Sequence, residues 1–358
     1  MDALKRRAFN IGLLWLAACG GGGSPADSAP LQGPGPAPAP VPPAGPSPGP
    51  APAPVPTPPP GPSPSPSPAP DTGLYVSLQY TASQLVRHGD IVYSQRPNAG
   101  SQFTSEITRV AEQSSGAPLA LKLDLAVPPN ASATRRQPLI VWLHGGGLVS
   151  GGKEEVAEQM LSYARAGYVA ASVNYRLTPG IETNAALRVR ALQQAVEDTM
   201  NAIRFLKANA ATYGIDASRV ATFGNSAGGS ISLVNAIEFD TLAGTVSDYP
   251  GVSSKVQAAA STGATLVDGT STADALVHYD AGDTPVLLYH ANPTDGTSEA
   301  TWSAAVLPTQ SRINASGNTC VLVAQPDRSH TVDLSVGGAY WPPAKAFLWA
   351  RLRLAELR

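Results

Sequence analysis

Residues 219–237 read RVATFGNSAGGSISLVNAI and carry the clearest structural signal in the sequence. Val220–Phe223 has the composition of a buried strand, and Ile231–Ile237 is suited to a helix. Between them, Gly224–Gly228 match the pattern Gly-x-Ser-x-Gly around Ser226. A strand that turns sharply into a helix leaves no room for side chains two residues before or after the serine. The sequence therefore predicts a strand, a tight turn that exposes Ser226, and a helix.

Strand-like and helical segments alternate on both sides of this turn. Leu139–Leu143 is a continuous apolar run, as expected of a strand buried on both faces. Similar strand-like runs lie at Tyr168–Val173, Val256–Ala260, Pro285–Tyr289 and Thr319–Ala324. Helical patterns separate them at Glu154–Ala166, Ala185–Thr212, Glu299–Asn314 and Pro343–Leu357. This order predicts an α/β fold, with a mostly parallel, doubly wound sheet and helices on both faces.

The beginning of the folded region has a different pattern. Short β-rich runs at Leu74–Tyr80, Asp90–Tyr93 and Leu119–Val127 predict an antiparallel opening to the sheet. Later in the chain, the connection from Ala264 to Thr284 is only about twenty residues long, which is too short for a large cap domain. We therefore expect an open cleft over the sheet.

A second glycine-rich run, His144-Gly145-Gly146-Gly147, follows the apolar strand Leu139–Leu143 directly. Glycines allow the backbone to approach a substrate oxygen closely, and their N–H groups can point at a developing oxyanion. His144 is predicted to order this loop and not to act as a base.

Together, the GNSAG and HGGG motifs resemble those of the α/β-hydrolase fold, in the esterase and lipase branches related to hormone-sensitive lipase and the carboxylesterases. The resemblance implies Ser226 as the nucleophile and an oxyanion hole formed by the N–H groups of Gly146, Gly147 and Ala227. Scaffold segments resemble the same family from about Leu119 onward: Val173–Leu177 (VNYRL), Ala195–Asp198 and Gly214–Val220.

The resemblance also orders the remaining catalytic groups along the chain, as serine, then acid, then histidine. Of the histidines after Ser226, His330 follows the strand-like run that ends near Ala324, where this fold places its base. His290 ends its own strand-like run, which favours a packing role, and His278 lies in a polar stretch that predicts exposure.

The acid that orients His330 has several candidates. Asp295 lies in the loop after Pro285–Tyr289, where the family places this group. Asp268, after the preceding strand, is the alternative, and Glu299 is a third candidate. The structural alternative for Asp295 is that it caps the following helix.

These residues predict hydrolysis of carboxylic esters through an acyl-enzyme, without a metal or organic cofactor, since no ligand spacing indicates one. The open cleft favours short-chain or polymer-attached acyl groups. The same residues can cleave amides, as in a serine peptidase or an arylformamidase. A different class of function also stays open, namely a catalytically inactive binding module with a hydrolase-like fold.

The net charge of −2 and the interspersed acidic and basic residues exclude a broad basic surface for nucleic acid.

Cys19 and Cys320 are the two cysteines of the chain. Cys320 lies in an apolar run and is predicted to be a buried, inert thiol. The stability of the fold is therefore expected to come from its packed core.

The first residues of the chain predict export. Lys5–Arg7 is basic, and Ala8–Ala18 is a short apolar segment, well below the ~20 residues of a membrane-spanning helix. Leu16–Cys19 (LAAC) resembles the lipobox of bacterial lipoproteins, which implies cleavage after residue 18 and a lipid on Cys19. The alternative is an ordinary secretory signal that contains a cysteine.

Between this signal and the folded region lies a proline-rich segment. Of the 35 prolines, 21 fall between Pro30 and Pro70, a composition that favours extended polyproline II and disfavours helix or sheet. We predict a signal peptide at 1–18, a lipidated cysteine and tether at 19–70, and a catalytic domain at 71–358. The tether is either a semi-rigid stalk or a disordered spacer, or it binds cell-wall polymer itself. Gly20 after Cys19 favours the outer membrane or the cell surface.

Overall fold

The computed structural model describes residues 73–96, 118–178, 185–267 and 272–357. The predicted signal peptide, the lipidated Cys19 and the tether lie outside the described residues, as does the alternative acid Asp268.

The described residues form one eight-stranded sheet in the order β1-β2-β4-β3-β5-β6-β7-β8. The strands are β1 Val86–Arg96, β2 Leu119–Val127, β3 Gln137–Leu143, β4 Val169–Val173, β5 Ile215–Asn225, β6 Ala258–Thr262, β7 Val286–Ala291 and β8 Cys320–Gln325. The β1–β2 and β2–β4 pairs are antiparallel, whereas every later pair is parallel. The mostly parallel sheet and its antiparallel opening are thus confirmed.

Helices cover both faces of the sheet. They are α1 Ala157–Arg165, α2 Ala185–Ala208, α3 Ala210–Tyr213, α4 Ala227–Glu238, α5 Leu307–Ala315 and α6 Trp341–Arg351. Short 3-10 helices lie at Ala82–Gln84, Lys153–Val156, Asp274–Leu276 and Leu354–Leu357, and a π-helical turn at Trp302–Val306 leads into α5. The apolar residues of α2, α4 and α5 pack on one face, and those of α1 and α6 pack on the other.

Strand β3 shows why the central strands are apolar throughout. Leu139, Val141 and Leu143 face one core, whereas Ile140 and Trp142 face the other, and all five are fully buried. Because helices cover both faces, no position along the strand meets water. The continuous apolar run in the sequence is the direct consequence.

The segment Leu74–Tyr80, predicted to be β-rich, forms turns instead. The backbone N–H of Tyr75 donates to the carbonyl of Ala166, and the Tyr75 ring packs edge-on against Tyr168 at 5.0 Å between ring centroids. The apolar residues of this segment are therefore explained by docking on the end of α1 and not by pairing with a strand.

The predicted scaffold motifs contact each other in a buried ion network. The guanidinium of Arg176 donates to Asp198 at 2.8–2.9 Å and to Glu197 at 3.0 Å, and the backbone N–H of Arg176 also donates to Asp198. Arg96 of β1 pairs with Glu197 at 3.2 Å and with Asp248 at 2.9 Å. The network joins the end of β4 to α2 and to the edge strand β1.

Two further predictions are met within the described residues. Cys320 is buried in the core, where burial raises the pKa of its thiol to about 12. Between β6 and β7, where no large cap domain is expected, the described residues form only the short helix Asp274–Leu276.

None of the helices in the described ranges combines the length and apolar character needed to cross a membrane.

Candidate active site

Ser226 lies at the turn between β5 and α4, in a backbone conformation that side chains rarely adopt. Its φ is 52° and its ψ is −118°, a combination that residues other than glycine rarely adopt. A Cβ on Gly224 would lie 2.0 Å from the carbonyl oxygen of Gly228, and a Cβ on Gly228 would lie 2.3 Å from that of Leu143. A side chain at either position would collide with the backbone, so both residues must be glycine. The strained conformation is typical of a functional turn and projects the serine above the sheet.

The glycine-rich loop after β3 lies against this turn. A Cβ on Gly145 would lie 3.4 Å from the Cβ of Ser226. Gly146 and Gly147 have φ values of +96° and +62°, in the region that favours glycine. The N–H groups of Gly146, Gly147 and Ala227 donate to no protein acceptor among the described residues. Three free donors close to Ser226 are what an oxyanion site requires.

His144 has the ordering contacts that the sequence predicts for it. The residue is fully buried, and its ring stacks on that of Tyr175 at 4.2 Å between centroids. The Tyr175 hydroxyl donates to the carbonyl of His144 at 2.8 Å and to that of Gly145 at 3.0 Å. These contacts hold the shape of the loop next to Ser226.

His330 bridges the serine and the acid. Its Nε2 lies 2.7 Å from Ser226 Oγ, and its Nδ1 lies 2.8 Å from Asp295 Oδ2. Because a carboxylate only accepts hydrogen bonds, Nδ1 carries the hydrogen and Nε2 is left to accept a hydrogen bond from the Ser226 hydroxyl. The loop of His330 lies against the end of β6, where a Cβ on Gly263 would fall 2.0 Å from the His330 carbonyl oxygen.

Asp295 is fully buried, and its two carboxylate oxygens are used differently. Oδ2 accepts from His330, whereas Oδ1 accepts from the backbone N–H groups of Thr297 and Ser298, each at 2.8 Å. Burial raises the pKa of Asp295, but these hydrogen bonds outweigh it and hold the pKa below the usual value for aspartate. The group is therefore ionised at neutral pH and oriented toward His330.

The other candidate residues are placed elsewhere. Glu299 is exposed, and no hydrogen bond joins it to His330 within the described residues. The side chain of His278 is 92% exposed and pairs with Glu238 at 3.0 Å. Ser226, His330 and Asp295 are thus brought together by the ends of β5, β8 and β7, whereas Glu299 and His278 are not part of this group.

A cavity of about 470 Å³ opens over Ser226 and His330. This volume lies within the range of about 300–1,000 Å³ typical of small-molecule sites. Apolar side chains such as Leu148, Leu192 and Ala273 form part of its wall. Leu192 comes from α2 and Ala273 from the β6–β7 connection, and neither has a sequence signal that predicts a place in the site. Sequence reasoning therefore missed most of the cavity wall.

Within the described residues, no group of three or more histidine, cysteine, aspartate or glutamate side chains is arranged to hold a metal ion.

Solved structures of other proteins are similar to this chain. A truncated carbohydrate esterase from gut microbiota superimposes with a TM-score of 0.55 at 16% identity, covering 77% of this chain and 98% of that one. Esterase Est2 of the planctomycete Thermogutta terrifontis, with propionate bound, gives a TM-score of 0.50 at 22% identity, covering 66% and 88%. The chain has the α/β-hydrolase fold.

Part of this α/β-hydrolase also matches known sequences. Residues 123–278 match the model of the BD-FAE family. Carboxylesterase NlhH of Mycobacterium tuberculosis is 38% identical over 102 residues, which are 28% of each chain. Carboxylesterase 1C of Rattus norvegicus is 34% identical over 110 residues, which are 30% of this chain and 20% of that enzyme. The matches therefore span less than a third of these relatives.

The contact at Gly228 yields a test of the turn. Gly228→Ala places a Cβ against the backbone of β3, so we expect unfolding in urea to show a loss of about 3 kcal/mol or more. The control is Gly251→Ala, where φ is positive (+79°) and no atom lies within 4 Å of the added Cβ, so that only backbone strain is introduced. This control is expected to lose only about 1 kcal/mol. Equal losses in the two variants would contradict the proposed contact.

The lowered pKa of Asp295 predicts a pH dependence of stability. Its pKa is lower in the folded than in the unfolded chain, so ionised Asp295 stabilises the fold above its unfolded pKa of about 3.9. Asp295→Asn should therefore lower the free energy of unfolding at pH 7, on the order of 1–2 kcal/mol. The deficit relative to wild type should shrink as the pH falls through the folded pKa.

The measurement is urea unfolding at several pH values, with the exposed Asp333→Asn as the control. A deficit for Asp295→Asn that does not change with pH would show that its carboxylate charge is not involved.

Proposed function

We propose that this protein is a serine esterase that hydrolyses carboxylic esters, with Ser226 as the nucleophile, His330 as the general base and Asp295 as the orienting acid. The observation that carries the proposal is the hydrogen-bonded series from Ser226 Oγ to His330 Nε2 (2.7 Å) and from His330 Nδ1 to Asp295 (2.8 Å). The series opens onto a cavity bordered by Gly147 and Ala227. A nucleophile, a base, an acid and oxyanion donors are what acyl transfer requires.

In the proposed reaction, Ser226 Oγ attacks the ester carbonyl carbon while His330 Nε2 takes the serine proton. The carbonyl oxygen becomes an oxyanion, which accepts hydrogen bonds from the N–H groups of Gly146, Gly147 and Ala227. The C–O bond to the alcohol then breaks, and His330 donates its proton to the departing oxygen. Ionised Asp295 stabilises the imidazolium formed in between.

Water completes the cycle. It attacks the carbonyl carbon of the acyl-enzyme, and His330 accepts a proton from the water molecule. The bond between the acyl group and Ser226 Oγ then breaks, and His330 returns the proton to Oγ. The products are a carboxylic acid and an alcohol, and the protein ends in its starting state.

The related proteins support this class of reaction. The two matched relatives from Mycobacterium tuberculosis and rat are carboxylesterases, and the similar solved structures are esterases. Est2 of Thermogutta terrifontis has been solved with propionate, with butyrate and phosphorylated by paraoxon. Ester hydrolysis is therefore the activity that we propose for this chain.

We further propose short-chain or polymer-attached acyl groups as substrates. The cavity volume of about 470 Å³ and its partly apolar wall, with Leu148 and Leu192, suit a short acyl chain. The described part of the β6–β7 connection forms only one short helix. Such a site is open to an ester that projects from a larger molecule.

The attachment of the catalytic domain is a separate proposal that rests on sequence alone. The basic Lys5–Arg7, the apolar Ala8–Ala18 and the LAAC motif support export and a lipid on Cys19. The proline-rich segment would then space the esterase from a bacterial membrane, with the outer membrane or cell surface favoured.

The test of the proposed function is the hydrolysis of a series of p-nitrophenyl esters from acetate to decanoate by the purified full-length chain. We expect the highest kcat/KM for the short chains. Ser226→Ala should lower kcat by about 10⁴–10⁶-fold, because the nucleophile is lost while the cavity remains. Ser77→Ala, an exposed serine outside the cavity, is the control and should retain full activity.

Two outcomes would overturn the proposal. If Ser226→Ala hydrolysed the esters as fast as wild type, Ser226 would not be the nucleophile. If p-nitroanilides were cleaved faster than the matching esters, the protein would be an amide hydrolase that uses the same residues.

A further inference from the structure

His290 borders the cavity but takes no part in the proposed acyl transfer. It lies at the carboxyl end of β7 and is fully buried. It borders the same cavity as Ser226 and His330. A fully buried imidazole at the edge of a substrate cavity therefore has no assigned role.

The contacts of His290 fix which of its ring nitrogens is available. Nδ1 lies 3.0 Å from the carbonyl oxygen of Ala291. Because a carbonyl only accepts hydrogen bonds, Nδ1 carries the hydrogen in this contact. In the neutral ring, Nε2 then has a lone pair and accepts a hydrogen bond. Among the described residues, Nε2 has no donor to pair with, although it is buried.

An unpaired acceptor in this position requires an explanation. Buried polar atoms in folded proteins are nearly always hydrogen-bonded, because an unmade bond is costly away from water. Since the described residues supply no donor and His290 borders the cavity, a group that enters the cavity can supply the missing donor.

The sheet register sets where this acceptor lies relative to Ser226. Asn225 pairs with Thr262, and Thr262 pairs with Tyr289. Ser226 directly follows Asn225 and His290 directly follows Tyr289, so the two residues lie at the same level of the sheet. They are separated by one strand, β6, and neighbouring strands lie about 4.8 Å apart, so their backbones are roughly 10 Å apart. Both residues border the same cavity, so a single bound ester can lie between them.

The residues that line the cavity indicate which chemical class of hydrogen-bond donor fits there. No acidic side chain among the described residues lines the cavity, so a cationic ammonium donor would lack a partner for its charge. The hydroxyls of Ser230 and Thr297 also line it. The surroundings therefore suit a neutral hydroxyl group.

We propose that His290 Nε2 accepts a hydrogen bond from a hydroxyl of the substrate, so that the site selects esters carrying a free hydroxyl a few bonds from the scissile carbonyl. The proposal rests on the proposed esterase function and deepens it. His290 is then a specificity residue that touches substrate, and its hydroxyl partner lies on either the acyl or the alcohol side of the ester. The competing occupant of Nε2 is a buried water molecule.

The test uses paired esters that differ only by hydroxyl groups. On the acyl side, p-nitrophenyl 3-hydroxybutanoate is compared with p-nitrophenyl butanoate. On the alcohol side, 1-butyrylglycerol is compared with propyl butanoate. We expect wild type to favour the hydroxylated ester in at least one pair by about tenfold in kcat/KM, since a site built to bond a hydroxyl discriminates against the analogue without it.

His290→Phe removes the acceptor and should abolish that preference, so that the ratio of kcat/KM between the hydroxylated ester and its partner falls to about one. His290→Gln, whose Oε1 can stand near the position of Nε2, should keep part of the preference. His278→Phe is the matched control, since His278 is exposed and does not line the cavity, and it should keep the full preference.

Several results would overturn the proposal. Wild type that shows no preference in either pair would mean that the acceptor is occupied by water, and this result does not depend on the folding of any variant. A His290→Phe variant that lowers both members of a pair equally would indicate a packing role. Wild type that hydrolyses none of the four esters would instead remove the proposed function itself, which the separate p-nitrophenyl series also detects.

Discussion

The close contact between the start of α4 and the end of β3 is the constraint on which the site depends. At Gly228, a single added carbon would collide with the backbone of Leu143 and His144. Because the two backbones touch here, the turn that carries Ser226 lies directly beside the loop that carries Gly146 and Gly147. One backbone contact thus sets both the strained position of the serine and its distance from the free N–H groups. This requirement explains the glycines around Ser226 in the sequence.

The remaining members of the group depend on the parallel sheet. Ser226, Asp295 and His330 follow β5, β7 and β8, and the carboxyl ends of these parallel strands lie at one edge of the sheet. The strands bring the residues to the same edge, and the loops complete the arrangement. Asp295 is oriented by the N–H groups of Thr297 and Ser298, and the backbone of His330 passes close to Gly263. A buried, ionised carboxylate held in this way can stabilise a positive imidazole without moving.

Sequence reasoning reached the parts of the site that short backbone motifs determine. The turn at Ser226 and the loop at Gly146–Gly147 require glycine at fixed positions, so a few letters are enough to predict them. The family order favours Asp295 over Asp268 and Glu299, and the hydrogen bonds that orient Asp295 are visible only in the structure. Leu74–Tyr80 was predicted as a β-rich run because its apolar residues do not distinguish strand pairing from docking on α1.

The cavity wall could not be predicted for a different reason. Leu192 and Ala273 come from segments far apart in the sequence, and ordinary apolar residues acquire a role only when the fold brings them together. The sequence predicts a packing role for His290, and its ring is fully buried. A position at a strand end does not, however, reveal which ring nitrogen is satisfied. The structure shows a ring with one nitrogen bonded to its own strand and the other without a protein donor among the described residues.

We propose the Ser226 hydroxyl as the reactive nucleophile of the chain, and covalent labelling with an organophosphate tests this proposal. The full-length protein is incubated with paraoxon, digested, and its peptides are analysed by mass spectrometry while residual esterase activity is followed. We expect one diethyl phosphoryl group on the peptide that contains Ser226, formed in step with the loss of activity and absent from Ser226→Ala. A loss of activity with that peptide unmodified, or a label that persists in the variant, would contradict it.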